Sequence, residues 1–296
     1  MSGGIEANRR VTFGVRYEDS DVVVIEKPAG LVSTPGKGHE RDTLLNGLFA
    51  SFGTRLQRLG ATRDFGMLQR LDRDASGLVV VALTIDAWDG LREAFAQRRV
   101  GKYYWAVTRR APAQPAGLIR KPLEERNAPR KDRWQDDPRR RRFDRVKLAV
   151  VSARGKPAAT AFRTLGVAEG GALLECRALT GRLHQVRVHL DSIGCSILGD
   201  RFYGPEAARR SVGRLLLHAH RLTFDHPATG EPVEVRARCP RDMRRTLQRL
   251  GIPTPGTFSP AAGSPAAGSP ADGGHQLGGD AVGQEDPAVG QDPPAG

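Results

Sequence analysis

Six consecutive apolar residues, Leu78 to Leu83 (LVVVAL), constrain this chain more than any other stretch. A strand with one wet face alternates apolar and polar side chains, so an unbroken run reads as a strand buried on both faces, inside a sheet covered on both sides. Directly before it stands QRLDRDASG, where Asp72 lies between Arg70 and Arg73. Ala75, Ser76 and Gly77 are small enough for a tight turn and for close approach of a substrate. A carboxylate beside two arginines is commonly a plain surface ion pair. A neighbouring arginine also keeps a carboxylate ionised, as a nucleophile or a base must be. Its place at the lip of a central strand makes Asp72 the candidate for chemistry.

The rest of the chain supplies strands with few helices between them. Residues 11–34 read as two short strands; the second, Asp21 to Glu26 (DVVVIE), ends at Lys27-Pro28-Ala29-Gly30 because proline has no N–H for the ladder. The Thr34 to His39 loop superficially resembles a phosphate cradle but lacks its spacing and a following Lys-Ser/Thr. Asp42 to Gly53 has Leu44, Leu45, Leu48 and Phe49 at helical spacing, with Asp42 as the expected N-cap. Asp86 to Arg99 predicts an amphipathic helix with Trp88, Leu91 and Phe95 on one stripe, and Lys102 to Val107 (KYYWAV) an aromatic strand. Residues 109–147 are rich in proline and arginine, including Arg139, Arg140, Arg141 and Arg142, and read as a long surface loop: a solvated charge run or a phosphate-contacting arm.

Strands return at Ala158 to Leu165 and Ala172 to Leu179, around the turn Glu169-Gly170-Gly171. Thr180-Gly181 then opens a predicted helix, RLHQVRVHLDSIG, whose apolar stripe is Leu183, Val186, Leu190 and Ile193 and which Gly194 closes. His184, Arg187 and Asp191 share a neighbouring face, where Arg187 is expected to pair with Asp191. Strands at Leu215 to Phe224 and Val233 to Ala237 and a basic helix from Arg241 to Leu250 complete the folded part. From residue 253 the composition turns to Gly, Pro, Ala and Ser, with AAGSP repeated, which predicts a disordered acidic tail over 253–296. The pattern is that of an α+β body over residues 11–252, a mixed, largely antiparallel sheet with flanking helices and a central cleft, after a short flexible N-terminus at 1–10.

Charge points to the partner. The net charge is +13, but five of the 33 acids lie in the tail, which has no Lys or Arg. The body therefore carries 46 basic residues against 28 acids, the footprint of a nucleic-acid binder, with an acidic membrane surface as the weaker reading. No run approaches the roughly 20 apolar residues of a membrane helix and the start lacks the apolar core of a signal peptide, so a cytoplasmic location is expected. Cys176, Cys195 and Cys239, without a CxxC spacing, suggest neither a disulfide framework nor a zinc site.

The motifs together resemble one family. RLDRDASGL looks like the hallmark segment of the RluA-type pseudouridine synthases, usually written HRLDxxTSG. In the same order, EDSDVVVIEKPAGL resembles the family's opening strands and Lys102-Tyr103-Tyr104 its K-x-Y segment. GRLHQVRVH resembles its G-R-x-H-Q-x-R-x-H stretch, Leu198 to Gly204 its L-G-D-x-x-Y-G loop, and Leu217 to Gly230 its LHA…HPxTG hairpin. The resemblance spans residues 15 to 240 or so and implies a pseudouridine synthase fold and an RNA substrate, ribosomal or transfer RNA, with a flipped uridine and no cofactor or metal. It implies Asp72 as the residue that attacks or otherwise promotes cleavage of the uracil–ribose bond, Tyr104 stacking on the base and Arg187 pairing with Asp72. RNA contacts are expected from Arg70, Arg73, Lys102, Arg182, His184, Gln185 and the Arg139 to Arg142 run, in a chain acting as a monomer. Gln69 stands where the family usually has His, and Ala75 where it usually has Thr. The family pattern begins almost at once, so the body itself, with its 109–147 segment, is expected to grip RNA.

Three other readings compete. A non-catalytic RNA-binding relative would have no need of Asp72, Tyr104 and Arg187 together. A hydrolase would pair Asp72 with Asp74 or Asp200, as glycosidases pair carboxylates. A metal enzyme would use His218 and His220 with His184 or His189, and Asp200.

Overall fold

The computed structural model describes residues 4–129 and 145–256. The Arg139 to Arg142 run and most of the 253–296 tail lie outside the described residues. In chain order the elements are β1 (Gly14–Glu18), β2 (Val22–Lys27), α1 (Leu44–Leu59), β3 (Ser76–Ala82), α2 (Ile85–Ala96), β4 (Gly101–Thr108), β5 (Ala116–Arg120), β6 (Leu123–Pro129) and β7 (Arg145–Val151). There follow β8 (Ala159–Ala168), β9 (Gly171–Ala178), α3 (Gln185–Asp191), α4 (Glu206–Arg210), β10 (Leu217–Asp225), β11 (Pro232–Arg236) and α5 (Arg241–Arg249).

One sheet runs in the order β1-β2-β3-β10-β4-β9-β8-β5, with β11 also paired to β10; β6 and β7 form a separate hairpin. Every pairing is antiparallel except β3 with β10, so the mixed, largely antiparallel α+β expectation is met. The unbroken apolar run behaves as its pattern requires, with every residue of β3 buried. β3 and β2 share a core with Leu44, Leu48 and Leu56 of α1 and Trp88 and Leu91 of α2. A second cluster joins Trp105 and Val107 of β4 and Leu174 of β9 to Leu190 of α3 and Met243 and Leu247 of α5.

Four expectations need correction. The N-cap of α1 is Thr43, which caps reciprocally with Asn46, while Asp42 faces His39 at 3.0 Å; the helix runs on to Leu59 because Leu56 and Leu59 extend its buried stripe. Ile5 and Glu6, within the segment expected to be flexible, are tied down, since Asn46 donates to the Glu6 carbonyl at 2.7 Å and Ile5 packs on the core. The 109–147 segment contains β5, β6 and the start of β7; β5 extends the sheet through β8, and the hairpin packs Leu123 and Ala149 against Val188 and Tyr203. The helix expected from Thr180 begins only at Gln185, after His184 in a left-handed conformation with φ 50°.

Candidate active site

The loop feeding β3 is fixed from below before it presents Asp72. Leu71 is buried; its N–H donates to the Ser33 hydroxyl at 3.3 Å and its C=O accepts from the same hydroxyl at 2.8 Å. The Asp72 carbonyl accepts from Ala75 N–H at 3.1 Å, and the Arg73 carbonyl from Gly30 N–H at 2.8 Å. Lys27, fully buried at the end of β2, donates to the carbonyls of Pro28, Leu31 and Arg73 at 2.9, 2.8 and 3.1 Å. Burial pushes its pKa down to about 7, against the upward pull of Asp72 and Asp74. One amine thus joins residues 28–31 to the Asp72 loop. With no hydroxyl at Ala75, the turn is held by the Ala75 N–H on the Asp72 carbonyl and by Ser33 on Leu71.

Arg187 holds the carboxylate from the other side. Its Nη1 donates to Asp72 Oδ2 at 2.9 Å, while Nε and Nη2 form a fork on Asp200 at 2.8 Å each. Such a bidentate pair fixes the guanidinium plane as well as its charge. Arg187 is 3% exposed and Asp200 1%, whereas the Asp72 side chain keeps 21%, so only Asp72 opens to the cleft. Burial works against the arginine's charge, but Asp200 and then Asp72 outweigh it and raise its pKa further. Asp200 also accepts from the N–H groups of Phe202 and Tyr203, whose rings lie 5.4 and 5.1 Å from the guanidinium. The expected Arg187–Asp191 pair is absent; Asp191 takes the Ser196 hydroxyl at 2.7 Å instead. Asp200 is committed to Arg187 and is an anchor, not a second acid for hydrolysis.

A cleft of about 1380 Å³ opens above Asp72. Tyr104 of β4 lines it, half-buried between the two cores, and burial together with the Asp72 charge raises the phenol's pKa, so it stays protonated at neutral pH. Arg70, Arg73 and Arg182 stand exposed on the walls, with half-buried Lys102, whose ammonium lies 5.5 Å from the Phe95 ring and whose pKa burial lowers. His184 also lines the cleft; the Tyr203 hydroxyl accepts from Ala149 N–H at 3.0 Å and donates to His184 Nδ1 at 2.9 Å. Burial, followed by Arg187, lowers the His184 pKa to about 4, leaving a neutral imidazole. Gln185, expected to contact RNA, is buried with both amide ends spent: it donates to Ala159 C=O and Thr160 Oγ1 and accepts from the Thr180 hydroxyl and Arg182 N–H. Its work is to shape the 180–184 turn. Gln69 lines the cleft with its amide nitrogen buried and unbonded among the described residues.

Among the described residues, His184, His189, His218 and His220 each have a different partner and form no common ligand set. His218 meets Ser76, His189 meets Thr160 and the Lys121 carbonyl, His184 meets Tyr203, and His220 lies against Glu175. Asp19, Asp21 and His226 do lie together, but Asp19 accepts from Tyr17, from the N–H groups of Asp21 and Val22, and faces His226 Nε2 at 2.9 Å. His226 Nδ1 accepts from the N–H groups of Ala228 and Thr229. That cluster is a hydrogen-bonded corner joining β1 and β2 to the β10–β11 hairpin.

The sequence reading missed Lys27 and Ser33 and saw Asp200 only as an acid or a ligand. A lysine followed by proline at the end of an unbroken apolar strand was the available sign, since a charge there must be capped by carbonyls.

A carboxylate clamped by a buried arginine, in a cleft lined by a tyrosine and walled by arginines, marks the candidate active site of an enzyme whose substrate is a polyanion such as a nucleic acid. Comparison with known proteins narrows the class. Residues 21–192 match the family model of RNA pseudouridylate synthase, and the chain belongs to that family. It is 37% identical over 250 residues to the ribosomal large subunit pseudouridine synthase D of Zymomonas mobilis, covering 82% of this chain and 74% of that one. An uncharacterized RNA pseudouridine synthase of Bacillus subtilis is 36% identical over 236 residues, covering 80% and 72%. Among solved structures, human RNA pseudouridylate synthase domain containing 4 is similar at a TM-score of 0.60 and 26% identity, covering 82% of this chain and 95% of that one. The chain is an RNA pseudouridine synthase, an isomerase acting on RNA.

Proposed function

We propose that this enzyme converts uridines of large-subunit ribosomal RNA to pseudouridine and that Asp72 carries the chemistry. The RNA assignment rests on the names of relatives such as that of Zymomonas mobilis. The assignment of Asp72 rests on one observation: it is the partly open carboxylate of a buried Asp72–Arg187–Asp200 array, at the floor of the cleft. The uridine flips in and stacks on Tyr104. Asp72 promotes cleavage of the N1–C1′ bond, the uracil turns, C5 bonds to C1′, and the proton leaving C5 is balanced by one gained at N1. The rearrangement is redox-neutral and nothing leaves the nucleotide, so the proposal requires no cofactor. Arg70, Arg73, Lys102 and Arg182 hold flanking phosphates, and a single chain supplies every residue invoked. No helix of the described residues is long and apolar enough to cross a membrane, and ribosomal RNA as substrate fits a cytoplasmic location.

Asp72→Asn preserves the shape of the loop and removes the negative charge. It is expected to abolish pseudouridine formation, read by mass spectrometry of ribosomal RNA, while RNA affinity stays within about threefold of wild type because phosphate contacts dominate binding. Undiminished pseudouridine formation in this variant would take Asp72 out of the mechanism.

A further inference from the structure

The reverse of the sheet carries an arginine row, of which Arg177 also reaches the cleft. Arg177 of β9 is opposite Tyr103 of β4, Tyr103 is opposite Arg221 of β10, and Arg221 is opposite Arg236 of β11. The four residues form one rung across adjacent strands, a span of about 14 Å at normal strand spacing. Side chains alternate along a strand, so Tyr103 points away from the face on which Tyr104 meets the cleft.

The rung is ordered rather than loose. The Arg221 guanidinium lies 3.7 Å from the centre of the Tyr103 ring and that of Arg177 lies 5.5 Å from it. Holding long cationic side chains in place beforehand lowers the entropy lost when they bind an anion. The carboxylates near the row are shared. Glu234 is shared between Arg221 and Arg236, and Glu175 is already engaged by His220 at 2.9 Å and Arg163 at 2.7 Å, lying 3.6 Å from Arg221. Arg177 is exposed and among the described residues pairs with no carboxylate.

Arg177 also lines the cleft, which makes the rung continuous with the active site around the end of β9. We propose that the rung is a second RNA-binding surface, over which single-stranded RNA flanking the target uridine runs out of the cleft with its phosphates on Arg177, Arg221 and Arg236. This rests on the reading that the RNA substrate occupies the cleft.

The test uses the full chain and two fluorescent RNAs, a short uridine-bearing stem-loop and the same stem-loop with single-stranded extensions. Wild type is expected to bind the extended RNA more tightly. The double variant Arg221→Gln, Arg236→Gln is expected to lose that advantage, with affinity for the extended RNA falling roughly tenfold and the salt slope by about 1.4, or about 0.7 per single-strand phosphate contact removed. Binding of the unextended stem-loop should not change. Glu234→Gln, an exposed change on an edge strand, should act in the opposite direction and tighten the extended RNA. Equal loss for both RNAs, or an unchanged extended complex in both variants, overturns the proposal. Asp72→Asn measured alongside keeps the extension effect, so failure of the surface and failure of the catalytic assignment give different results.

Discussion

Arg187 touches two carboxylates with one planar cation, and that geometry decides what each substitution does. Its three donating nitrogens are divided between Asp72 and Asp200, all at 2.8 to 2.9 Å. Arg187→Lys keeps the charge but offers a single point instead of a fork, so it satisfies Asp200 at the expense of aiming Asp72. Arg187→Met removes the charge and leaves Asp200, 1% exposed, without a counter-ion. Breaking a buried pair in this way costs about 3–5 kcal/mol, on the order of ten degrees in Tm for a domain of this size. The expectation is that Lys retains most stability and loses activity, while Met loses both. Thermal unfolding beside single-turnover assays separates them; a Met variant as stable as wild type would mean that the Arg187–Asp200 pair does not hold the fold together.

At the scale of elements, the junction between β3 and β10 is the most exacting. It is the sheet's one parallel pairing, confined to His218 with Ser76 and Ala219 with Gly77. Gly77 has φ +117°, and a Cβ there would lie 2.3 Å from the Ala219 carbonyl oxygen. Gly77→Ala therefore meets both backbone strain and a clash with another backbone, and is expected to cost roughly 2–4 kcal/mol and to loosen Asp72 five residues away. Urea unfolding together with hydrogen exchange at Leu78 and Val79 checks this; unchanged protection there would show that the strands part without penalty. The same junction explains what was legible beforehand. β2, β3, β4 and β10 announce themselves because their buried faces force apolar runs into the sequence. β5, β6 and β7 do not, since polar stretches such as LEERNAP become strands only by pairing with a partner or by leaning on α3. Asp72 was visible from its position before a buried strand. Its partner was visible only through resemblance, because helical spacing alone matched Arg187 to Asp191, and the contact that forms, to Asp200, depends on how the chain returns beyond α3.

Across the described residues, burial lowers the pKa of four imidazoles. His218 is fully buried, with its pKa pushed down to about 3 by burial and then by His220 and Arg214; His184 is held at about 4, and burial also lowers His189 and His220. A histidine whose folded pKa lies below its unfolded value of about 6.5 leaves stability untouched above that pH. As pH falls below it, the unfolded chain takes up protons that the folded one refuses, and stability drops until the folded pKa is reached. Between about pH 7 and 4.5, His218 and His184 together should remove on the order of 5 kcal/mol, at 1.36 kcal/mol per pKa unit each. Glu175 adds little in this window: burial raises its pKa, but His220 and Arg163 outweigh that and hold it at about 2, so its stabilisation fades only as pH falls from about 4.3 towards that value. His218→Asn keeps an acceptor for the Ser76 hydroxyl and cannot be protonated. Its urea midpoint is expected to fall less than that of wild type between those two pH values, by the share that His218 contributes, whatever its stability at neutral pH. Equal falls would show that the acid sensitivity lies elsewhere than in the imidazole beneath the Asp72 loop.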